Sequence, residues 1–230
     1  MNFSVVVPAL NEEKSFGKVI KTLRKQRVEK DSFEIIVVNN NSDDRTAEVA
    51  RRAGADKVVF EKKMGTNLAR QKGVSVSRGE IIAFIDADCI APPEWLGNIK
   101  KAIFRKGVVA VSGPYKYGKF LPDFMMWRVF PLVPKLMSFV TGKRGGVILG
   151  GNFAAYRSAI DKIGGLPPIK FFGDDTAIAI LLARRAGKVL YTRKVWVESS
   201  PRRLREKGVV KVGVKYFRHY FKIYFDNEYQ

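Results

Sequence analysis

A repeated pattern constrains this chain more than any other feature: a β-branched apolar stretch, then polar residues, then a helical stripe. Phe3 to Val7 is such a stretch and ends at Pro8, as a buried strand feeding a loop does. Phe16, Val19, Ile20 and Leu23 follow at the spacing of one helical face. The pattern returns with a strand over Phe33 to Val38, polar Asn39 to Asp44, and a helix that Ser42 is expected to cap and Gly54 to end. Lys57 to Phe60 reads as a third strand, leading through Gly65 to a helix around Leu68 to Val76, and Glu80 to Ile85 as a fourth strand. This alternation predicts an α/β, Rossmann-like fold: a mostly parallel central sheet with helices on both faces. Ligands of such sheets gather at the carboxyl ends of the strands, which points to Pro8 to Glu13, Asn39 to Asp44 and Asp86 to Asp88.

A length of 230 residues suits one sizeable domain with an appended tail. Further along, Val108 to Gly113, Phe153 to Tyr156 and Lys188 to Thr192 are strand candidates, with a helix near Asp175 to Ala186. Cys89 is the single cysteine, which excludes an intrachain disulfide and a cysteine-based zinc cage and favours a reducing compartment. Met1 to Pro8 lacks a basic region followed by a long apolar run, so no signal peptide is expected.

The formal charge of +20 attracts polyanions: anionic lipid, phosphorylated substrate or nucleic acid. The excess lies late, with thirteen basic and two acidic residues between Arg184 and Lys222. Val210, Val214, Phe217, Phe221 and Tyr224 recur at helical spacing in the tail, among Lys211, Lys215, Arg218 and Lys222. Such a helix adsorbs to anionic membranes, or packs on the core. Lys119 to Val140 is aromatic but broken by proline and charge, so it does not read as a membrane span. No recognised nucleic-acid motif accompanies the charge, which leaves a nucleic-acid-binding module as the rival from another class.

Asp86-Ala87-Asp88 closes the apolar strand Ile81 to Ile85. Two carboxylates so placed can hold a hard divalent cation, or simply cap the turn. Asp174 and Asp175 precede the apolar set Ile178, Leu181 and Leu182, where an N-cap is the plain reading. Pro8 can terminate a strand, Glu12 and Glu13 suit a first helical turn, and Arg202 and Arg203 fit a solvated basic face.

Taken together, these segments resemble a family 2 glycosyltransferase. Val5-Val6-Val7-Pro8-Ala9-Leu10-Asn11-Glu12-Glu13, Ile35 to Asp44, Gly65 with Ala69-Arg70 and Gly73, and Phe84-Ile85-Asp86-Ala87-Asp88 are similar to its nucleotide-binding half. Gly150-Gly151-Asn152, Gly164-Gly165, Gly173-Asp174-Asp175 and Ser199-Ser200-Pro201-Arg202-Arg203 are similar to its acceptor half. The resemblance implies a GT-A-like domain over residues 1–205, with halves 1–115 and 116–205, and an amphipathic helical tail over 206–230. It implies inverting, metal-dependent transfer of a hexose-type sugar from a UDP- or GDP-sugar to a lipid-linked or other hydroxyl or phosphate acceptor, at the cytoplasmic face of a membrane. Asp88, with Asp86, would hold Mg2+ or Mn2+. Pro8, Ala9, Leu10, Asn11, Glu12, Asn39, Arg70, Asp86, Ala87, Asp88, Arg202 and Arg203 would contact the nucleotide sugar. Asp175, or its neighbour Asp174, would be the base, unless the acceptor is a polyprenyl phosphate that needs none.

The chain departs from the family at Asn39 and Asp174, where Asp and Glu are usual, and at Gln71, where Asn is usual. No histidine lies near Val195 to Ser200, where some members have a further metal ligand, which leaves Glu198 as a substitute.

Overall fold

The computed structural model describes residues 3–28, 32–120, 132, 136, 146–168 and 173–225. Strand β1 (Phe3–Ala9) is buried at every position. It lies between two parallel neighbours, β2 (Phe33–Asn39) and β4 (Ile81–Ile85), with Val5 opposite Ile35 on one side and Ala83 on the other. Alternate residues serve opposite faces. Val5, Val7, Ile35 and Val37 join one core with Phe16, Ile20 and Leu23 of α1 (Phe16–Leu23) and Trp95 and Ile99 of α4 (Trp95–Ile103). Val6, Ile36, Val38 and Phe84 join a second with Ala69 and Val74 of α3 (Thr66–Val76), Ile160 of α5 (Arg157–Lys162), and Ile178 and Leu181 of α6 (Asp174–Leu181). Continuous apolar runs are therefore required in the central strands. Each fully buried Val or Ile side chain there contributes on the order of 2 kcal/mol.

The sheet has seven strands in the order β3-β2-β1-β4-β8-β6-β9, with β3 (Lys57–Phe60), β6 (Val108–Ser112), β8 (Asn152–Tyr156) and β9 (Lys188–Tyr191) completing it. β8 runs antiparallel to both β4 and β6, and the other pairings are parallel. The α/β class and mostly parallel sheet expected from the sequence are present. So is a C-terminal helix: after α7 (Arg202–Lys207), α8 spans Val209–Tyr224.

A second sheet, β5-β10-β7, is made of β5 (Cys89–Ile90), β7 (Tyr115–Lys116) and β10 (Val197–Ser199). Strands this short carry no periodicity, and the sequence did not announce them. Asn152, fully buried, fastens the two sheets together. Its Nδ2 donates to the carbonyls of Gly113 at 3.0 Å and Val195 at 2.7 Å, while its Oδ1 accepts from Trp95 Nε1 at 2.9 Å.

Ser42 does not cap α2 (Thr46–Arg52). Its hydroxyl accepts from the Asn11 amide at 3.0 Å, and Asp44 receives the Thr46 amide at 2.9 Å instead. The loops after β1 and β2 are zipped together. The Glu12 amide donates to Thr46 Oγ1 at 2.8 Å, the Glu13 amide to Asp44 Oδ2 at 3.0 Å, and the Asp43 amide to Asn11 Oδ1 at 2.9 Å. Asn11 takes φ 54°, a left-handed conformation asparagine tolerates.

Helix α3 approaches β1 closely at Gly73, where an added Cβ would lie 2.3 Å from Val6 Cγ1. Arg70 stands one turn earlier on the same helix. Gly73→Ala should therefore lower stability by about 1–3 kcal/mol, because a buried β-branched side chain has little room to yield. Urea denaturation will measure it, and Val6→Ala in the same chain should restore part of the loss.

Candidate active site

The carboxyl ends of β1 and β4 open on a cleft of about 700 Å³, which also reaches the first turn of α6 and the tail helix α8. The turn after β4 delivers Asp86, Ala87 and Asp88 to this cleft, and the end of β1 with the turn after it delivers Pro8, Ala9, Leu10 and Glu12. Arg70, Asp174, Asp175 and Arg202 line it as well. Most of the residues singled out in the sequence are thus gathered in one place, although they span the chain from Pro8 to Arg202.

Arg70 is the hinge of the arrangement. Only 2% exposed, it extends from α3 beneath the cleft. Its Nη2 donates to Asp86 Oδ1 at 3.0 Å, and its Nη1 to Asp174 Oδ2 and Asn67 Oδ1 at 3.1 Å. Burial alone would favour the neutral guanidine, but Asp86 and Asp174 outweigh it and hold the cation more firmly than usual. Glycines make the approach possible. A Cβ at Gly150 would lie 3.1 Å from both terminal nitrogens of Arg70, and one at Gly151 would lie 2.1 Å from Asp86 Oδ2.

Asp175 is 3% exposed. Helix α6 begins at Gly173, whose φ of 120° suits glycine and whose absent side chain leaves room for Ile223. Asp174 and Asp175 occupy the first helical turn rather than the cap position. The Gly150 amide donates to Asp175 Oδ2 at 3.3 Å and the Thr176 amide to Oδ1 at 2.8 Å. The Tyr216 hydroxyl also donates to Oδ2. Burial first, and then the charge of Asp174, push the Asp175 carboxyl up to about 6, while Tyr216, Arg70 and Gly150 restrain the rise. This is the range in which a carboxylate is a serviceable general base near neutral pH.

Other expected residues are placed differently. Asn39 stands at the end of β2 with its Oδ1 accepting from the Ser42 amide at 2.9 Å, and Asn11 is engaged in the loop zipper; neither is among the residues lining the cleft. Asn40 is, and its side chain fastens the segment 61–65 through the Glu61 and Lys63 carbonyls and the Gly65 amide. Arg202, at the start of α7, is exposed and reaches Glu12 Oε1 at 3.4 Å. The Arg203 side chain lies outside the described residues, as does most of the aromatic stretch 119–140. Glu198 is exposed on β10 and does not line the cleft. Cys89 is buried, and burial together with Asp86 and Asp88 pushes its thiol well up, so it is an inert neighbour of the turn.

Tyr115, Tyr216 and Tyr220 also line the cleft, and no local motif marked them. The Tyr115 hydroxyl accepts from the Gly151 amide at 2.8 Å, bracing the glycine loop.

Among the described residues, no three His, Cys, Asp or Glu side chains converge as a metal cage. Asp86 and Asp88 nevertheless fit a hard divalent cation. Two carboxylates on one turn, open to the cleft, suit Mg2+ or Mn2+, which keep waters and take further oxygens from substrate phosphate.

A mostly parallel sheet delivering an Asp-Ala-Asp turn and a second acidic pair to one cleft defines a protein of the GT-A class. The chain belongs to glycosyl transferase family 2, whose description matches residues 4–164. It is 31% identical over 119 residues to glycosyltransferase AglE of Haloferax volcanii, covering 50% of this chain and 39% of that protein. It is 35% identical over 169 residues to an undecaprenyl-phosphate 4-deoxy-4-formamido-L-arabinose transferase of Pseudomonas aeruginosa, covering 68% of this chain and 47% of that protein. The chain thus spans less than half the length of either relative. A mannosyltransferase of Pyrobaculum calidifontis, solved with GDP-Man and Mn2+, shares the fold with a TM-score of 0.70 at 22% identity, over 94% of this chain and 64% of that one.

Because burial and Asp174 push the Asp175 carboxyl up to about 6 from its ordinary 3.8, the folded chain holds the proton more tightly than the unfolded one between those values. Above that window the ionised, buried group costs the fold on the order of 2–3 kcal/mol. The melting temperature of Asp175→Asn relative to the unsubstituted protein should therefore rise by roughly 5 °C between pH 4 and pH 7.5. Calorimetric melting at the two pH values checks both the sign and the window.

Proposed function

We propose that this chain is the catalytic domain of an inverting glycosyltransferase that moves a sugar from a UDP- or GDP-sugar to a lipid-linked acceptor. The observation that carries the reading is the pairing of two carboxylate sites across Arg70: Asp86 and Asp88 on one side, and Asp174 with the buried, raised-pKa Asp175 on the other. One site suits a leaving diphosphate and the other an incoming hydroxyl.

Asp88, with the unbridged oxygen of Asp86, would hold Mg2+ or Mn2+, which supplies Lewis-acid neutralisation of the diphosphate when bound. Arg202, exposed at the cleft margin, is free to turn from Glu12 towards a phosphate, where its planar fork suits multidentate contact. Pro8, Ala9, Leu10 and Glu12, which line the cleft, would form the wall for the nucleoside. Asp175 takes the proton of the acceptor hydroxyl as its oxygen bonds to the anomeric carbon. The bond from that carbon to the diphosphate oxygen breaks, its electron pair leaving with the nucleoside diphosphate. Attack from the face opposite the leaving group inverts the configuration.

The acceptor class draws support from the undecaprenyl-phosphate relative and from the outer face of α8. Lys211, Lys215, Arg218 and Lys222 are exposed there beside Val214, which is 54% exposed, while Phe217, 50% exposed, borders the cleft. Cations interleaved with exposed apolar groups suit an anionic lipid surface, with each cation contributing on the order of 1 kcal/mol. No helix among the described residues is long and apolar enough to cross a membrane. The Asn152-braced sheets, the metal-type turn and the acidic pair favour this reading over nucleic-acid binding, for which the charge alone speaks.

Donor affinity and donor hydrolysis, measured on the same proteins with UDP-glucose and GDP-mannose, separate the roles. Asp88→Ala should lose Mn2+-dependent affinity in calorimetry. Asp175→Asn should keep that affinity and lose roughly 10² or more in turnover, with Asp174→Asn losing less. Wild-type turnover in Asp175→Asn would direct attention to an acceptor that arrives ionised, such as a polyprenyl phosphate.

Reversal of Lys211, Lys215, Arg218 and Lys222 to Glu should abolish sedimentation with phosphatidylglycerol vesicles at low salt and leave the melting temperature within about 3 °C. Equal sedimentation of the two proteins would remove the membrane from the account.

A further inference from the structure

We infer that Tyr216, carried by the C-terminal helix, is the positioning residue for Asp175, so that this helix is a working part of the catalytic site and not an appendage to it. The inference rests on the proposed role of Asp175 as base.

Helix α8 is docked on the first turns of α6. Ile223 is buried against Ala177 and Ile180 and fills the space left by the missing side chain at Gly173. Tyr220 is 6% exposed, with its hydroxyl 3.4 Å from the Gly146 carbonyl. These anchors fix the helix one turn on from Tyr216, whose hydroxyl then meets Asp175 Oδ2, the same oxygen that receives the Gly150 amide. The carboxylate is thereby held from three elements: the glycine loop, its own helix through the Thr176 amide, and the tail. A buried carboxyl group on a helix's first turn has rotamers to choose from, and a fixed donor on a separate element selects one.

The groups facing Asp175 set what the hydroxyl must do. Burial opposes its ionisation, as does Asp174 on the same helix. Arg70, on α3, favours it but is shared with Asp86 and Asp174, and Tyr115 lines the same cleft. His219, on α8, sits against Gly173 with Nδ1 at 2.8 Å from the Lys215 carbonyl. Among these, Tyr216 and the Gly150 amide are the neutral donors from other elements that favour the carboxylate over the acid. Tyr216→Phe deletes one of them and keeps the ring. It should raise the proton affinity of Asp175 and loosen its orientation together.

The test combines a titration with a rate profile. In protein labelled with ¹³C at aspartate carboxyls, the resonance missing from Asp175→Asn is that of Asp175. Imidazoles ordinarily titrate in the same range, so all proteins compared carry His219→Gln. The midpoint expected near 6 should rise by about one unit in Tyr216→Phe. Hydrolysis of UDP-glucose or GDP-mannose, whichever raises the melting temperature with Mn2+, should fall roughly fivefold more at pH 6 than at pH 8.5, and the smaller loss that persists at pH 8.5 reports the loosened orientation. Mn2+-dependent binding of UDP or GDP should be unchanged. An unmoved midpoint, or a loss equal at every pH, would overturn the inference and leave Tyr216 as an anchor of the tail. Wild-type hydrolysis by Asp175→Asn would overturn the underlying reading instead, so the two failures are distinguishable.

Discussion

A guanidinium withdrawn from water is costly unless carboxylates meet it with good geometry, and Arg70 is withdrawn almost completely. Everything else in the cleft follows from how that cost is met. Asp86 arrives from the end of β4 and Asp174 from the start of α6, and each gives Arg70 an oxygen at about 3 Å. The bridge fixes the distance between a turn and a helix that are far apart in sequence. It depends on glycine: Gly73 lets α3 settle on Val6, while Gly150 and Gly151 let the backbone pass beside Arg70 and Asp86.

The electrostatic consequence is an imbalance. Asp86, Asp88, Asp174 and Asp175 all face one cleft, with Arg70 as the buried cation between them. In a chain of net charge +20 this local acidity is not a bulk property. On the proposed reading it suits one end of the cleft to a divalent cation, while at the other, burial and Asp174 push the Asp175 carboxyl up to about 6. The basic excess is displayed elsewhere, including the outer face of α8, where Lys211, Lys215, Arg218 and Lys222 are exposed.

Much of this was legible in the sequence. The central strands announce themselves because both of their faces are buried, so Val5 to Val7 and Ile35 to Val38 must be apolar without interruption. The carboxylates of Asp86, Asp88, Asp174 and Asp175 stood out as charges at the ends of apolar segments. Less visible were features that need the third dimension. Ser42 looked like a helix cap, but the loop after β1 offers its hydroxyl the Asn11 amide. The strands β5, β7 and β10 are two or three residues long and exist through one another. The tail showed an amphipathic stripe through Val214 and Phe217, yet those residues are exposed and the buried side is Tyr220 and Ile223. Tyr216 could not be picked from eight tyrosines, because its partner Asp175 lies 41 positions earlier.

On the proposed reading, the two ends of the Arg70 bridge receive the two ends of one reaction. A crystal structure with Mn2+ and an intact nucleotide sugar tests it most directly. The diphosphate and metal should lie at Asp88 and Asp86, with the anomeric carbon turned so that the face opposite the diphosphate looks towards Asp175. A donor bound with its sugar directed away from Asp175, or with its diphosphate remote from Asp88, would contradict it.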